Sequence, residues 1–275
     1  MFIKWLAKLK QVLGVSQVCL LLGCCSVLLA FDASARPCDN TQLEFAPLKQ
    51  PAEPLSSDEL GIVVWNAYKG QRDNWHSELS KLVAGNQILM LQEGSRKQLY
   101  GWAQIGQWYR YQALAFEWLG DGLGVATLTR APAERVCARL TTEPLIRFPK
   151  SSLSLIYRWQ GSEVLIVNVH SVNFTLDALT FTQQLTDLSD ELNQHSGPVV
   201  LAGDFNTWSE PRLAVFERFI QRHSLQLVAF EPDLRSRVFG EVLDHVAYRG
   251  LNLVSAKSIV TDSSDHNALL VRFRR

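Results

Sequence analysis

Val199-Val200-Leu201-Ala202-Gly203-Asp204-Phe205-Asn206 is the stretch on which the reading of this chain turns. Four apolar residues lead directly into a glycine, a carboxylate and a carboxamide. A short, continuous apolar run that stops at a turn signal is the pattern of a strand buried on both faces. The same layout recurs at Val63-Val64-Trp65-Asn66, at Ile88-Leu89-Met90-Leu91-Gln92-Glu93 and at Val164-Leu165-Ile166-Val167-Asn168-Val169-His170. It returns after a shorter run at Leu243-Asp244, and Ser263-Ser264-Asp265-His266 stands just before the run Asn267-Ala268-Leu269-Leu270-Val271. If these runs are neighbouring strands of one core, their polar ends converge on one rim. That rim would carry Glu93, Asp204, Asp244, Asp265, Asn66, Asn206, His170 and His266, a set rich in oxygen donors for a divalent cation and in polar groups for a phosphoryl oxygen.

The chain has 275 residues, 47% hydrophobic and 20% charged, the composition of a globular protein with room for one large domain or two small ones. Lys and Arg number 27, as do Asp and Glu. Residues 1–35 contain Lys4, Lys8, Lys10 and Asp32, so beyond them 24 basic and 26 acidic side chains remain, a net charge of −2. That balance argues against a broad electrostatic grip on a nucleic-acid backbone, though not against a local basic patch.

The N-terminus differs in kind. Three lysines precede an uncharged stretch from Gln11 to Phe31, and Ala33-Ser34-Ala35 supplies a small-residue cleavage pattern before Arg36-Pro37. Residues 1–36 read as a signal or membrane-anchor segment: a signal peptide cleaved after Ala35, an uncleaved anchor nearly long enough to span a bilayer, or a lipoprotein signal at Leu21-Leu22-Gly23-Cys24. A misassigned start on a cytoplasmic protein is the plain alternative. Of five cysteines, only Cys38 and Cys137 lie beyond this segment. They would pair in an oxidising compartment if the fold brought them together, which spacing alone does not decide.

Residues 37–58, with Pro37, Pro47, Pro51 and Pro54, read as a linker, and residues 59–275 as one domain. Strands are expected over 60–66, 87–92, 109–116, 123–129, 134–140, 152–159, 163–170, 242–248, 252–260 and 267–273. Gln160-Gly161 marks a tight hairpin. Helices are expected over about 72–85, 95–106 and 176–195, the last with Leu176, Phe181, Leu185, Leu188 and Leu192 on its inner face. Another should follow Ser209, with Pro211 in its first turn and Leu213, Phe216, Phe219 and Ile220 inward. Many strands and few helices in two alternating blocks fit an α/β (α+β), four-layer αββα sandwich, two mixed sheets face to face with helices outside.

Each candidate residue has a chemical rationale and an ordinary alternative. Glu93 is a hard-cation ligand or a solvated strand-end acid. Asp204 and Asn206 share a face if the strand continues; Asp204 would orient or deprotonate water, and Asn206 would donate to phosphate without adding charge. Gly203 would let the backbone approach a substrate. His266 would hold a phosphoryl oxygen or act as base, tuned by Asp244, while Asp265 reaches the metal or its waters. His170 would steady charge or protonate a leaving oxygen, with Asn173 helping to bind phosphate. Asn66 would offer a carbonyl to a metal-bound water or an amide to phosphate. His245 should face away from the site and pack. Lys150 and Arg147 are weaker candidates for binding substrate charge, with a solvated face the favoured reading.

In order, position and wording, Asn66, Gln92-Glu93, His170, Gly203-Asp204-Phe205-Asn206, Asp244-His245-Val246 and Ser264-Asp265-His266 resemble the endonuclease/exonuclease/phosphatase superfamily, the DNase-I-like phosphoesterases. The resemblance spans roughly residues 60–275. Leu91-Gln92-Glu93, Val167-Asn168-Val169-His170-Ser171-Val172-Asn173-Phe174 and Ala202-Gly203-Asp204-Phe205-Asn206-Thr207-Trp208 look like the bacterial YafD-like subgroup. It implies a hydrolase of phosphate esters that uses Mg²⁺ or Mn²⁺, with Asn66, Glu93 and Asp265 at the metal. His170, Asp204, Asn206, Asp244 and His266 would be catalytic, and the base is either Asp204 or His266. The implied substrate is a nucleic acid or another phosphodiester, with a phospholipid or inositol phosphate as the alternative and a non-catalytic binding module as a third. A monomer is expected. The N-terminal apolar segment departs from the superfamily pattern and points to export or an inner-membrane anchor with membrane contact, whereas the subgroup points to the cytoplasm.

Overall fold

The computed structural model describes residues 37–47, 55, 57–175 and 178–275. Residues 1–36, expected to be a signal or anchor segment, residues 48–54 and 56 of the expected linker, and Leu176 lie outside the described residues. None of the helices described is long and apolar enough to cross a membrane.

Among the described residues, fifteen strands form two large sheets and one short ribbon. In chain order they are β1 (Leu43–Ala46), β2 (Leu60–Asn66), β3 (Ile88–Ser95), β4 (Tyr109–Trp118), β5 (Asp121–Thr129), β6 (Arg135–Thr142), β7 (Pro149–Trp159), β8 (Ser162–His170), β9 (Val199–Asp204), β10 (Gln226–Leu227), β11 (Arg237–Val238), β12 (Glu241–Val242), β13 (Asp244–Arg249), β14 (Asn252–Ile259) and β15 (Ala268–Arg274). The first sheet runs β1-β4-β5-β3-β2-β15-β14, the second β10-β13-β9-β8-β7-β6, and β11-β12 is the ribbon. Among the named strands of the described residues, β2/β3 and β8/β9 are the parallel pairs, so both sheets are mixed. The described residues also form five α-helices: α1 (Trp75–Leu82), α2 (Arg96–Ile105), α3 (Leu179–Asp187), α4 (Ser189–Gln194) and α5 (Glu210–Arg222).

Three apolar clusters explain the layering. Leu60, Ile62 and Val64 of β2 join Val200 and Ala202 of β9 in the core between the sheets. On the other face of β2, Val63 and Trp65 pack with Trp75, Leu79 and Leu82 of α1 and Leu99 and Ala103 of α2. On the other face of β9, Val199 and Leu201 pack with Phe181 and Leu185 of α3, Leu192 of α4 and Phe216 and Ile220 of α5. Alternate residues of one strand thus serve two cores, which is why these runs are apolar without interruption. Each fully buried aliphatic side chain contributes about 1.5–3 kcal/mol.

Local signals account for the element ends. Ser95 caps α2, its side chain accepting from Gln98 N at 3.1 Å. Gln160 and Gly161 both take left-handed φ, 46° and 75°, as a two-residue hairpin of primed type requires. Ser209 stands at the N-cap of α5 with Pro at the helix start, although its hydroxyl makes no cap bond.

Two expectations differ from the structure. The helix expected over 176–195 is two, α3 and α4, meeting at Leu188. The inward leucines continue across the junction, so periodicity alone does not mark it. Within the stretch read as a linker, residues 43–46 form an edge strand paired with β4, Leu55 is buried, and Cys38 is disulfide-bonded to Cys137 of β6.

Candidate active site

The topology brings the polar strand ends together. Asn66 at the end of β2 lies beside Gln92 of β3, and His170 at the end of β8 lies beside Asp204 at the end of β9. Asp244, the first residue of β13, is opposite Asp204. His266 precedes β15, the neighbour of β2. Side chains then bridge the sheets: Asn66 Nδ2 donates to Asp204 Oδ2 at 3.0 Å, and His266 Nδ1 donates to Asp244 Oδ2 at 2.8 Å. Behind them Gln92 Nε2 donates to Asn168 Oδ1 at 2.6 Å, a buried polar tie between the sheets.

Asp204 is the hub. Its Oδ1 accepts from Asn206 N at 2.9 Å, and its Oδ2 lies 3.5 Å from His170 Nε2 and 3.9 Å from His266 Nε2. Burial, with Asp244 adding negative charge, raises its carboxyl to about 6, against the opposing pull of His266, Lys150 and the Asn206 N–H. Gly203 has a different role from the one expected. Its φ is +139°, and a Cβ there would meet the Val169 carbonyl oxygen at 2.0 Å, so the glycine permits the close approach of β8 rather than of a substrate. Asn206 does not share a strand face with Asp204. The strand ends at Asp204, Asn206 takes φ 50°, and its Nδ2 donates to Ser171 O at 3.0 Å.

Among the histidines of the site, His266 is the one shifted towards its protonated form. Burial opposes protonation, but the Asp244 carboxylate outweighs it, helped by Asp204 and Asp265, and raises the imidazole to about 10. Ser264 fixes the segment: its Oγ donates to Asn66 O at 2.7 Å and accepts from His266 N at 3.1 Å. Trp65 Nε1 donates to His266 O at 2.9 Å. His245 does face away, buried against Phe205 and Phe216. Its Nε2 is 2.7 Å from Thr207 Oγ1, whose own proton goes to Val242 O, so Nε2 is the donor. Burial, then Arg235, pushes this imidazole down to about 3.

His170 is held neutral. Burial and then Lys150, His266 and Lys69 push it well below the usual imidazole range. Lys150 Nζ lies 3.1 Å from His170 Nε2, and an ammonium only donates, so this nitrogen is the acceptor and the ring proton is on Nδ1. Asn173 lies close by, but its Oδ1 accepts from Trp208 Nε1 at 2.7 Å, and no hydrogen bond joins it to the other predicted residues among those described.

Glu93 sits at a bulge in β3 with φ 51°, half-buried, in an ion pair with Lys69. Lys69, Glu93, Lys150 and His170 line one cleft, floored by Phe116 and Pro149. Asp265 is exposed, with Oδ1 3.4 Å from Ser264 Oγ. Among the described residues, Asp204, Asp244 and His266 present ligand atoms within 4.8 Å of one another, and Asp244 Oδ1 has no partner. The neighbourhood fits a hard divalent cation: its donors are mostly carboxylate oxygens, and Glu93 already draws a cation to itself. Glu93 and Asp265 stand apart from the tight cluster.

Three contributors carry no sequence signal of their own. Arg212 of α5 is 2% exposed, and its Nε donates to Asn206 O at 2.6 Å and its Nη1 to Thr175 Oγ1 at 3.0 Å, which holds the turn after Asp204. Lys69 and Glu143 enter from a 3₁₀ turn and a loop, far from any apolar run.

Two mixed sheets joined at such a rim define a class of fold generally occupied by phosphoesterase hydrolases. The model of the Endonuclease/Exonuclease/phosphatase family matches residues 63–266, and the chain belongs to that family. It is similar to a UPF0294 protein of Vibrio campbellii, 43% identical over 228 residues, covering 82% of this chain and 81% of that protein. Another of Vibrio parahaemolyticus is 44% identical over 218 residues, 78% of each. Among solved structures, an endonuclease/exonuclease/phosphatase family protein from Leptotrichia buccalis superposes with a TM-score of 0.61 at 17% identity, covering 78% of this chain and all of that one. D. rerio TDP2 complexed with a single-strand DNA product gives 0.58 at 15% identity, covering 80% of this chain and 100% of that one. The family is typically dependent on a divalent metal.

Proposed function

We propose that the protein hydrolyses phosphodiesters with the help of Mg²⁺ or Mn²⁺. The observation that carries this reading is the Asp204 hub, a buried carboxylate held by Asn66 and faced by His170 and by the His266–Asp244 pair. Asp204 takes the proton of a water as its oxygen attacks phosphorus and the bond to the leaving oxygen breaks. A carboxyl raised to about 6 is suited to accepting a proton near neutral pH. His266 already bears its proton, which favours Asp204 as the base; the imidazolium stabilises the charge that builds on the phosphoryl oxygens. Asn206 is a further donor, and His170 lines the same site with its Nε2 3.5 Å from Asp204 Oδ2. Glu93, Asn66 and Asp265 would hold the cation, and a bound divalent ion would supply Lewis-acid neutralisation of the phosphoryl group.

A second reading, a lipid phosphoester as substrate, is favoured by exposed apolar loops near this cleft. Trp118, Leu119, Leu145, Ile146 and Phe148 are all 41% exposed or more, and Phe116, which floors the cleft, packs against Phe148 at 4.9 Å. The Cys38–Cys137 disulfide supports an exported or membrane-anchored protein rather than a cytoplasmic one. The test is hydrolysis with Mg²⁺ and with EDTA across plasmid DNA, single-stranded DNA, RNA, sphingomyelin and inositol phosphates, each repeated with Asp204→Ala. Metal-dependent turnover of a nucleic acid, lost in the variant, is the expected result. Turnover of sphingomyelin alone would select the second reading, and activity unchanged in Asp204→Ala would overturn the catalytic one.

A further inference from the structure

The cleft beside the hub contains a lysine that the proposed reaction has not used. Lys150 is the second residue of β7, and its side chain is only 13% exposed. Its ammonium lies 3.1 Å from His170 Nε2 and 4.0 Å from Glu143 Oε1. Glu143 is fully buried: Oε1 accepts from Asn173 N at 2.7 Å, and Oε2 has no partner among the described residues. A carboxylate this deep needs a nearby cation, and Lys150 meets part of that need from the wall of the cleft. An ammonium has three protons. One goes to His170 and one is directed by Glu143, which leaves one for whatever enters the cleft.

We propose that Lys150 is a substrate-binding residue that donates to a phosphoryl oxygen in this cleft, and that Glu143 is the positioning residue that keeps it there. The proposal rests on the phosphoester reading of the same site. It explains why a neutral imidazole and a lysine stand side by side: His170 accepts one ammonium proton and so fixes the direction of the others. It also adds a second cation, beside His266, to the neighbourhood of Asp204, since His170 Nε2 lies 3.1 Å from the Lys150 ammonium and 3.5 Å from Asp204 Oδ2. The ligand class is a tetrahedral oxyanion, a phosphate ester or inorganic phosphate.

The experiment is titration of the purified protein with inorganic phosphate, with and without Mg²⁺, followed by calorimetry and as competition against ester hydrolysis. Lys150→Gln should weaken phosphate binding by about tenfold to a hundredfold, the worth of one charge-assisted hydrogen bond, and lower kcat/KM at least as much. Lys150→Arg should recover part of the loss. Glu143→Gln, which keeps the acceptor for Asn173 N, should weaken phosphate by a smaller factor. A folded Lys150→Gln protein that binds phosphate as tightly as the wild type overturns the proposal. If that variant does not fold, wild-type phosphate affinity in both Lys150→Arg and Glu143→Gln overturns it equally. Phosphate binding that depends on Lys150 in a protein that hydrolyses no ester would leave this inference standing while the catalytic reading falls; ester hydrolysis with no role for Lys150 would do the reverse.

Discussion

At the scale of single residues, the site is a set of charges held apart by burial. Asp204 has no lysine or arginine bonded to it, and its partners are amides and imidazoles, which keep it available to accept a proton. Lys150 instead donates to His170 and offsets the charge of Glu143, and Lys69 meets Glu93. The His266–Asp244 pair has a thermodynamic consequence. With its folded-state imidazole raised to about 10 from 6.5, His266 binds its proton more tightly folded than unfolded, so its stabilisation is complete below about pH 6.5 and is lost as pH rises towards 10. Urea denaturation without metal should show stability falling between pH 7 and pH 10 by roughly 1–4 kcal/mol, with the fall largely absent in His266→Gln. A wild type and variant with parallel profiles would refute this account of the pair. Most of these residues were readable because each ends an apolar run. Lys69, Glu143 and Arg212 were not, because their roles come from contacts between distant elements, and Lys150 stood out only as a weak candidate for substrate charge, with a solvated face the favoured reading.

At the scale of elements, the strand ends matter because the two parallel pairs, β2/β3 and β8/β9, point the same way in their sheets. Gly203 shows how local this requirement is. Gly203→Ala would drive a methyl into the Val169 carbonyl and force a left-handed backbone on a residue with a side chain. Thermal or urea unfolding should register a loss of about 2–4 kcal/mol; a loss below about 0.5 kcal/mol, the range of a neutral surface change, would contradict the packing described. The β-runs of 60–66 and 163–170 were legible to within a residue because they are apolar on both faces. β1 was not, since four residues among prolines carry no periodicity and their pairing partner lies more than 60 residues away. The break between α3 and α4 was hidden for the opposite reason: the inward leucines continue through it.

At the scale of the described domain, a strap at the N-terminal side ties the two sheets together. β1 adds to the first sheet through β4, while Asp39 N donates to Ala138 O at 2.8 Å, Ala138 N donates to Asn40 Oδ1 at 2.8 Å, and Cys38 bonds Cys137 on the edge strand of the second sheet. The sequence offered two cysteines and no means of pairing them, since 99 positions separate them. Cys38→Ser should cost about 2–5 kcal/mol of stability in urea, and dithiothreitol should lower the wild type to the level of the variant; equal stability with and without reductant would show that the bridge does not hold the strap. The central claim, that this rim is a metal-assisted phosphodiesterase site, is tested most directly by the initial rate of bis-p-nitrophenyl phosphate hydrolysis as Mg²⁺ or Mn²⁺ is titrated into the wild type, Asp204→Ala and Glu93→Gln. The account predicts saturable, EDTA-reversible turnover in the wild type and a loss of about a hundredfold or more in both variants. Turnover that ignores the metal, or that survives Asp204→Ala, would contradict it.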